Sequence, residues 1–120
     1  MKVKKRDGRI VDFNEQKIIR AILAAFESVD GEVTQYAVDK AYNIASYVSG
    51  YFEEDETNPT PGIEEIQDII EKGLMATKRK DVAKAYITYR YERTKERDKN
   101  SALMKNVTKK LNASEANSLK

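Results

Sequence analysis

The sequence predicts a small α+β domain, mostly α, in which an N-terminal β-hairpin caps a cluster of four helices. Three observations support this fold class: an Asp-Gly pair between two short runs of strand-forming residues, four segments with apolar residues at helical spacing, and breaks rich in glycine and proline between them. A length of 120 residues suits one domain with at most a short appendage.

The hairpin is predicted from residues 3–13. Val3 to Lys5 and Arg9 to Phe13 are the strand-like runs, and Asp7-Gly8 lies between them. Glycine accepts a positive φ without steric penalty, so this pair favours a tight turn.

Each helix has a local start or stop signal. Asn14 and Thr34 are suitable N-caps for the first two helices, and Asp30-Gly31 ends the first. An acidic loop with two prolines precedes a third helix from Ile63, and Asp81 is predicted to cap a fourth. Tyr42 of the second helix and both Tyr89 and Arg93 of the fourth are assigned to the inward faces, together with Val38, Ala41, Ala45, Val48, Phe52 and Val82, and with either Ala85 or Tyr86.

The domain is predicted to occupy residues 1–97. Residues 98–120 are interpreted as a linker or tail, partly disordered because their last nine residues are small or polar.

The composition excludes several classes of function. The sequence has neither cysteine nor histidine, which removes thiolate nucleophiles, imidazole bases and the usual zinc ligands. Its 22 basic and 20 acidic residues give a net charge of only +2, whereas a nucleic-acid binder usually has a stronger positive face. No run of about eighteen apolar residues is present, and no secretory signal, so a cytoplasmic protein without membrane contact is expected.

The cations that enter the hairpin turn are the best candidate for a binding site. Lys4, Lys5 and Arg6 precede Asp7-Gly8, and lysine with arginine suits a triphosphate. A solvated hairpin edge, kept from aggregating by its charge, explains the same residues and is favoured by composition alone. Lys17 in the first turn of a helix opposes the helix dipole unless an anion is bound nearby.

Other clusters have simpler explanations. For Tyr86, Tyr89 and Tyr91, core packing is favoured over base stacking. The carboxylates of Glu64-Glu65 and of residues 53–56 fit a helix start and a solvated loop better than a catalytic or metal site.

Three segments in order resemble the ATP-cone domain. Val3 to Gly8 followed by Val11 to Ile18 is similar to its opening, Ile63 to Glu71 to its third helix, and Val82 to Arg90 to its fourth. The match holds over residues 2–95. The run from Tyr89 to Arg93, with Asp98 to Lys105, resembles the anaerobic, glycyl-radical class of ribonucleotide reductase, so the chain is interpreted as an N-terminal regulatory fragment of such an enzyme. The resemblance implies that residues 98–120 lead toward a missing catalytic domain.

The resemblance implies allosteric control by adenine nucleotides, with ATP activating and dATP inhibiting the reductase. Catalysis by this piece is not expected, because reductase chemistry needs a thiyl radical and the sequence has no cysteine to form one. Expected partners are the nucleotides, the catalytic domain of the reductase and homo-oligomers formed through the cone. A magnesium ion bound with the nucleotide is expected on chemical grounds.

The resemblance also implies a set of nucleotide-binding residues. Val3, Lys5 and Arg6 match the hairpin positions that hold the nucleotide, with the two cations facing the triphosphate. The remaining matches are Asn14, Lys17 and Ile18 around base and sugar, Ile66 and Gln67 on the third helix, and Arg90 and Arg93 as phosphate contacts from the fourth. Aerobic relatives often carry histidine where Gln67 stands.

Two other classes of function compete with the nucleotide sensor. One is a transcriptional or DNA-binding module, which the near-neutral charge and the lack of an obvious recognition helix disfavour. The other is an interaction domain without a ligand.

Overall fold

The computed structural model describes residues 1–96 and has a two-stranded sheet followed by helices. Within these residues the elements are β1 (Lys2–Lys4), β2 (Ile10–Asp12), α1 (Glu15–Asp30), α2 (Gln35–Glu53), α3 (Ile63–Met75) and α4 (residues 80–96). A hairpin followed by four helices confirms the predicted fold, α+β and mostly α.

The hairpin forms where the sequence predicts it. Its two strands are antiparallel, with Val3 opposite Val11. The Lys5 N–H donates to the Arg9 carbonyl at 2.8 Å, and Gly8 has a φ of +87°. The side chain of Val3 is buried, so one face of the hairpin packs on the helices.

The first two helices begin at their predicted caps. The Asn14 side chain accepts a hydrogen bond from the Gln16 N–H, and the Thr34 hydroxyl accepts one from the Ala37 N–H. Gly31 ends α1 in the left-handed region, with a φ of +76°. The structure confirms these helix ends. They could be predicted because capping depends on residues that are close together in the chain.

Aliphatic side chains and Phe26 form the core between the helices and the hairpin. Phe26, Ile22, Val48, Leu74 and Val82 have no exposed surface. The other buried members are Val3, Ile18, Ile19, Ala25, Ala37, Ala41, Ile44, Ala45, Phe52, Ile66, Ile70, Ala83 and Tyr86.

Four details of the sequence prediction are wrong. Tyr42 is 50% exposed and Tyr89 is 51% exposed, and Arg93 is exposed as well, whereas the pattern predicts all three on inward faces. The buried face of α2 takes Ile44 instead of Tyr42, because the helix is rotated so that its alanines meet the core. The fourth helix begins at residue 80, which leaves Asp81 inside the first turn, where its carboxylate accepts from the Val82 N–H at 2.9 Å.

The tyrosines of α4 divide between core and solvent. Tyr86 is buried as expected, while Tyr91 is 65% exposed. Core packing therefore explains only the first of the three.

The described residues belong to two units, which divide between Ile87 and Thr88. The hairpin, α1, α2, α3 and the start of α4 lie in the first unit. Of the second unit, residues 88–96 are described and are helical. The predicted division after residue 97 lies outside the described residues and stays a prediction.

Candidate functional site

The hairpin turn is held in shape by its own hydrogen bonds. The Gly8 N–H donates to the Lys5 carbonyl at 3.0 Å, which closes a four-residue turn with glycine at its last position. The Asp7 carboxylate accepts from the backbone N–H of Arg9 at 3.0 Å and from its Nε at 2.6 Å. The backbone hydrogen bond from Arg9 lowers the pKa of Asp7. Asp7 therefore engages Arg9 and stiffens the turn that carries Lys5 and Arg6.

Backbone contacts fix the hairpin beside the N-terminus of α3. The Lys4 N–H donates to the Pro61 carbonyl at 3.0 Å, and Lys4 forms a parallel bridge with Gly62, the residue before α3. Pro61 is fully buried. The Glu65 carboxylate accepts from the Gly62 N–H at 2.7 Å and caps the helix start. The predicted cationic turn and the predicted α3 positions are thus brought to one place.

The side chain of Arg6 reaches α3. Its Nε donates to Oε1 of Glu64 at 2.6 Å, across 58 positions of sequence. Gln67 lies three residues after Glu64, so the two side chains are neighbours on one helix face. Arg6 and Gln67 therefore lie on the same side of the N-terminus of α3.

The start of α1 supplies the second predicted group. The Phe13 N–H donates to the Met1 carbonyl at 2.9 Å, which joins the residue after β2 to the residue before β1. Asn14 follows as the N-cap, and Lys17 is exposed in the first turn. An exposed cation here is available to an anion, although the helix dipole by itself disfavours it.

The apolar candidates belong to the core. Val3 is 4% exposed, Ile18 is 7% exposed and Ile66 is 1% exposed. Each comes from a different element, namely β1, α1 and α3. They form an apolar base that supports the polar candidates, and their burial limits the surface they can offer to a ligand.

Arg90 and Arg93 belong to the second unit. The Arg93 guanidinium lies 5.7 Å from the centre of the Tyr89 ring and donates to its hydroxyl at 3.3 Å. Their predicted contact with phosphate stays a prediction.

Glu64 is the site residue that sequence reasoning missed. Its position at the start of α3 is explained locally by the helix dipole, so nothing in the neighbouring sequence indicates a contact with the hairpin. The Pro61 carbonyl was missed for a similar reason, because a backbone acceptor has no residue signature. Both depend on long-range folding.

Two surface depressions lie at the other end of α3. One has a volume of about 210 Å³, below the range of about 300–1,000 Å³ usual for small-molecule sites. The other, beside Asp68, Lys72 and Ile87, has a volume of about 610 Å³, within that range, but is open to solvent. Neither includes a residue of the hairpin. Among residues 1–96, no group of three or more acidic side chains is placed to hold a metal ion.

None of the helices in the described part of the chain is both long enough and apolar enough to cross a membrane.

The comparison with protein families matches the ATP cone domain over residues 1–95. The chain belongs to the ATP-cone domain family. Members of this family bind nucleotides and act as regulatory domains. Membership therefore does not favour a DNA-binding function.

The proteins to which this chain is similar are ribonucleotide reductases. The chain is 33% identical over 105 residues to the anaerobic ribonucleoside-triphosphate reductase of Escherichia coli (strain K12), a match that covers 88% of this chain and 14% of that protein. It is 36% identical over 96 residues to the vitamin B12-dependent ribonucleoside-diphosphate reductase of Thermoplasma acidophilum, covering 76% of this chain and 12% of the relative. The chain thus spans about a seventh of the length of the curated relatives it matches, or less.

Proposed function

We propose that this chain is the nucleotide-sensing domain of an anaerobic ribonucleoside-triphosphate reductase, which binds ATP as an activator and dATP as an inhibitor. Membership of the ATP-cone family and similarity to anaerobic reductases support the proposal. The partner in this account is the catalytic domain of the reductase, and the site of action is the cytoplasm.

The observation that carries the proposal is the junction between the hairpin turn and the start of α3. Lys5 and Arg6 provide positive charge, and the N-terminal end of α3 adds the positive end of the helix dipole. The Lys4 contacts with Pro61 and Gly62 hold these features together before a ligand binds. A polyphosphate is the ligand class that uses such an arrangement best.

The adenosine is assigned to the α1 side of the junction. Asn14 and Lys17 supply polar groups near the base and sugar, and Ile18 beside them is buried in the core. Gln67 on α3 offers an amide that can donate or accept. Val3 and Ile66 complete the apolar base, while Arg90 and Arg93 remain proposed phosphate contacts.

Discrimination between ATP and dATP depends on one ribose hydroxyl. A polar group of the protein that pairs with this hydroxyl and is left unpaired by dATP costs about 1–3 kcal/mol. Such a difference shifts a conformational equilibrium only when the two bound states couple differently to the rest of the enzyme. The regulation therefore requires the catalytic domain as well as the sensor.

The proposed domain contributes no catalytic step. Its sequence has no cysteine, so it cannot supply the thiyl radical that ribonucleotide reduction needs. Mg²⁺ is proposed to enter with the nucleotide, held mainly by phosphate oxygens and water, as is usual for this ion.

Calorimetric titration of the folded chain with ATP, dATP and GTP in the presence of Mg²⁺ tests the function. We expect micromolar binding of the adenine nucleotides and a loss of at least about tenfold in the Lys5→Ala/Arg6→Ala variant, since two charge-assisted contacts are removed. Lys78→Ala/Lys84→Ala removes the same charge from two exposed positions and serves as the control. No heat with any nucleotide, or equal losses in both variants, contradicts the proposal.

A further inference from the structure

The contact between Arg6 and Glu64 places a carboxylate where the proposed site expects phosphate. The Nε–Oε1 distance is 2.6 Å, and the two side chains are 35% and 44% exposed. The pair is therefore hydrated in part and can exchange with a ligand from solution. The two residues are 58 positions apart in the sequence, so the contact exists only in the folded chain.

A carboxylate and a phosphate compete for the same hydrogen-bond donors. Both present oxygen atoms in a geometry that matches the edge of a guanidinium group. A polyphosphate that reaches Arg6 must either displace Glu64 from the Nε edge or bind beside it against the repulsion of two anions. In either case the carboxylate lowers the affinity for the ligand.

The position of Glu64 in α3 favours this arrangement when no ligand is bound. Glu64 is the second residue of the helix, where the dipole and the free backbone N–H groups stabilise a negative charge. The same features attract a phosphate group. Arg6 and the N-terminal end of α3 thus attract both the Glu64 carboxylate and the phosphate groups of the ligand.

We propose that Glu64 is an internal competitor of the nucleotide's polyphosphate for Arg6 and thereby sets the affinity of the site. This inference rests on the proposed function and adds a residue that opposes binding. It differs from an acidic side chain that merely lowers the local potential, because it acts through one named arginine.

The size of the effect follows from the exposure of the pair. Partly exposed ion pairs are weak, and release from competition together with loss of anion repulsion predicts about two- to tenfold tighter binding of ATP by Glu64→Gln. Both contributions are screened by salt, so the gain is expected to shrink as ionic strength rises.

A double-mutant cycle on the whole chain tests the proposal. MgATP binding is measured by calorimetry for the wild type, Glu64→Gln, Arg6→Gln and the double variant, each shown to be folded by circular dichroism. Glu32→Gln is the matched control, because it makes the same charge change at an exposed position after the end of α1. We expect tighter binding by Glu64→Gln, no change in Glu32→Gln, and a clearly smaller gain from Glu64→Gln when Arg6 is already replaced, because only the anion repulsion then remains.

The outcomes separate this inference from the proposed function. If ATP binds and Glu64→Gln behaves like Glu32→Gln, the competition is refuted and the nucleotide sensor stands. If the gain persists undiminished in the Arg6→Gln background, Glu64 acts through the general electrostatic field, and the inference is again refuted. If none of the folded proteins binds ATP, the proposed function fails and this inference fails with it.

Discussion

Asn14 stands where the hairpin gives way to α1, and its side-chain oxygen accepts a hydrogen bond from the Gln16 N–H at 3.0 Å. The same residue is proposed to lie near the base and sugar of the nucleotide. A substitution there can therefore alter stability, binding or both. Separating the two effects requires variants that keep the cap and change the rest of the side chain.

Asn14→Ala is expected to lower the free energy of unfolding by about 0.5–2 kcal/mol, because the helix loses its N-cap acceptor. Asn14→Ser keeps an acceptor and should retain most of the stability. Urea unfolding of the three proteins measures the difference. Equal stability of the alanine and serine variants would contradict a capping role for Asn14.

Two helical glycines show how an element depends on its neighbours. Gly50 in α2 has open space where a Cβ would lie, whereas a Cβ on Gly73 of α3 would meet Cγ1 of Ile44 at 3.2 Å and Cγ2 at 3.3 Å. Gly73 thus allows α3 to approach α2 closely. Gly50 has no such constraint in the described structure.

Gly50→Ala is expected to raise the free energy of unfolding by about 0.5–1 kcal/mol through the lower backbone entropy of the unfolded chain. Gly73→Ala gains the same entropy but presses on Ile44, so its benefit should be smaller or reversed. Thermal unfolding of both variants measures this order. A larger gain for Gly73→Ala would show that Ile44 gives way more easily than the contact distances indicate.

The elements that could be predicted from sequence are those with local signals. The turn at Gly8 and the caps Asn14 and Thr34 depend on residues within a few positions, and all three are confirmed. The exposure of Tyr42 was missed because helical periodicity does not fix which of two adjacent apolar stripes meets the core. For the hairpin cations, the sequence pattern does not distinguish a solvated strand edge from an anion-binding site.

Long-range pairs could not be predicted at all. Arg6 contacts Glu64 and Arg79 contacts Asp30 across 58 and 49 positions. Each of the four residues has an adequate local explanation as a surface charge. Only the packing of the hairpin and helices determines which of them meet, so the geometry of the candidate site needed the structure.

At the scale of the whole domain, Arg79 joins distant parts of the first unit. Its Nη1 and Nη2 donate to both oxygens of Asp30 at the end of α1, at 3.1 and 2.5 Å. Its Nε and Nη2 also donate to Asp81 in the first turn of α4. The guanidinium lies 5.9 Å from the centre of the Phe26 ring. These contacts tie the end of α1 to the segment between α3 and α4.

The Arg79 contacts predict a pH-dependent stability. Hydrogen bonds from Arg79 lower the pKa values of Asp30 and Asp81 below their ordinary 3.8. A carboxylate whose pKa is lower in the folded state stabilises the fold above its unfolded pKa, and this contribution is lost as the pH falls through the folded value. The stabilisation should therefore be complete at neutral pH and disappear in acid.

Arg79→Gln is expected to be less stable than the wild type at pH 7, with the difference shrinking as the pH falls below about 4. Urea unfolding at several pH values between these limits measures the trend. Arg20→Gln, which removes an exposed arginine that donates to the Gln16 carbonyl, is the control for the change in net charge. A difference that stays constant with pH would contradict the role assigned to the two aspartates.

The account of the whole molecule depends on one claim, that adenine nucleotides bind where the hairpin turn meets the starts of α1 and α3. Titration of the ¹⁵N-labelled chain with MgATP, followed by amide chemical shifts, tests this claim most directly. We predict the largest shifts at residues 3–18 and 62–67, with small shifts along the outer face of α2. Absence of shifts, or shifts centred on the far end of α3, would contradict the assignment of the site.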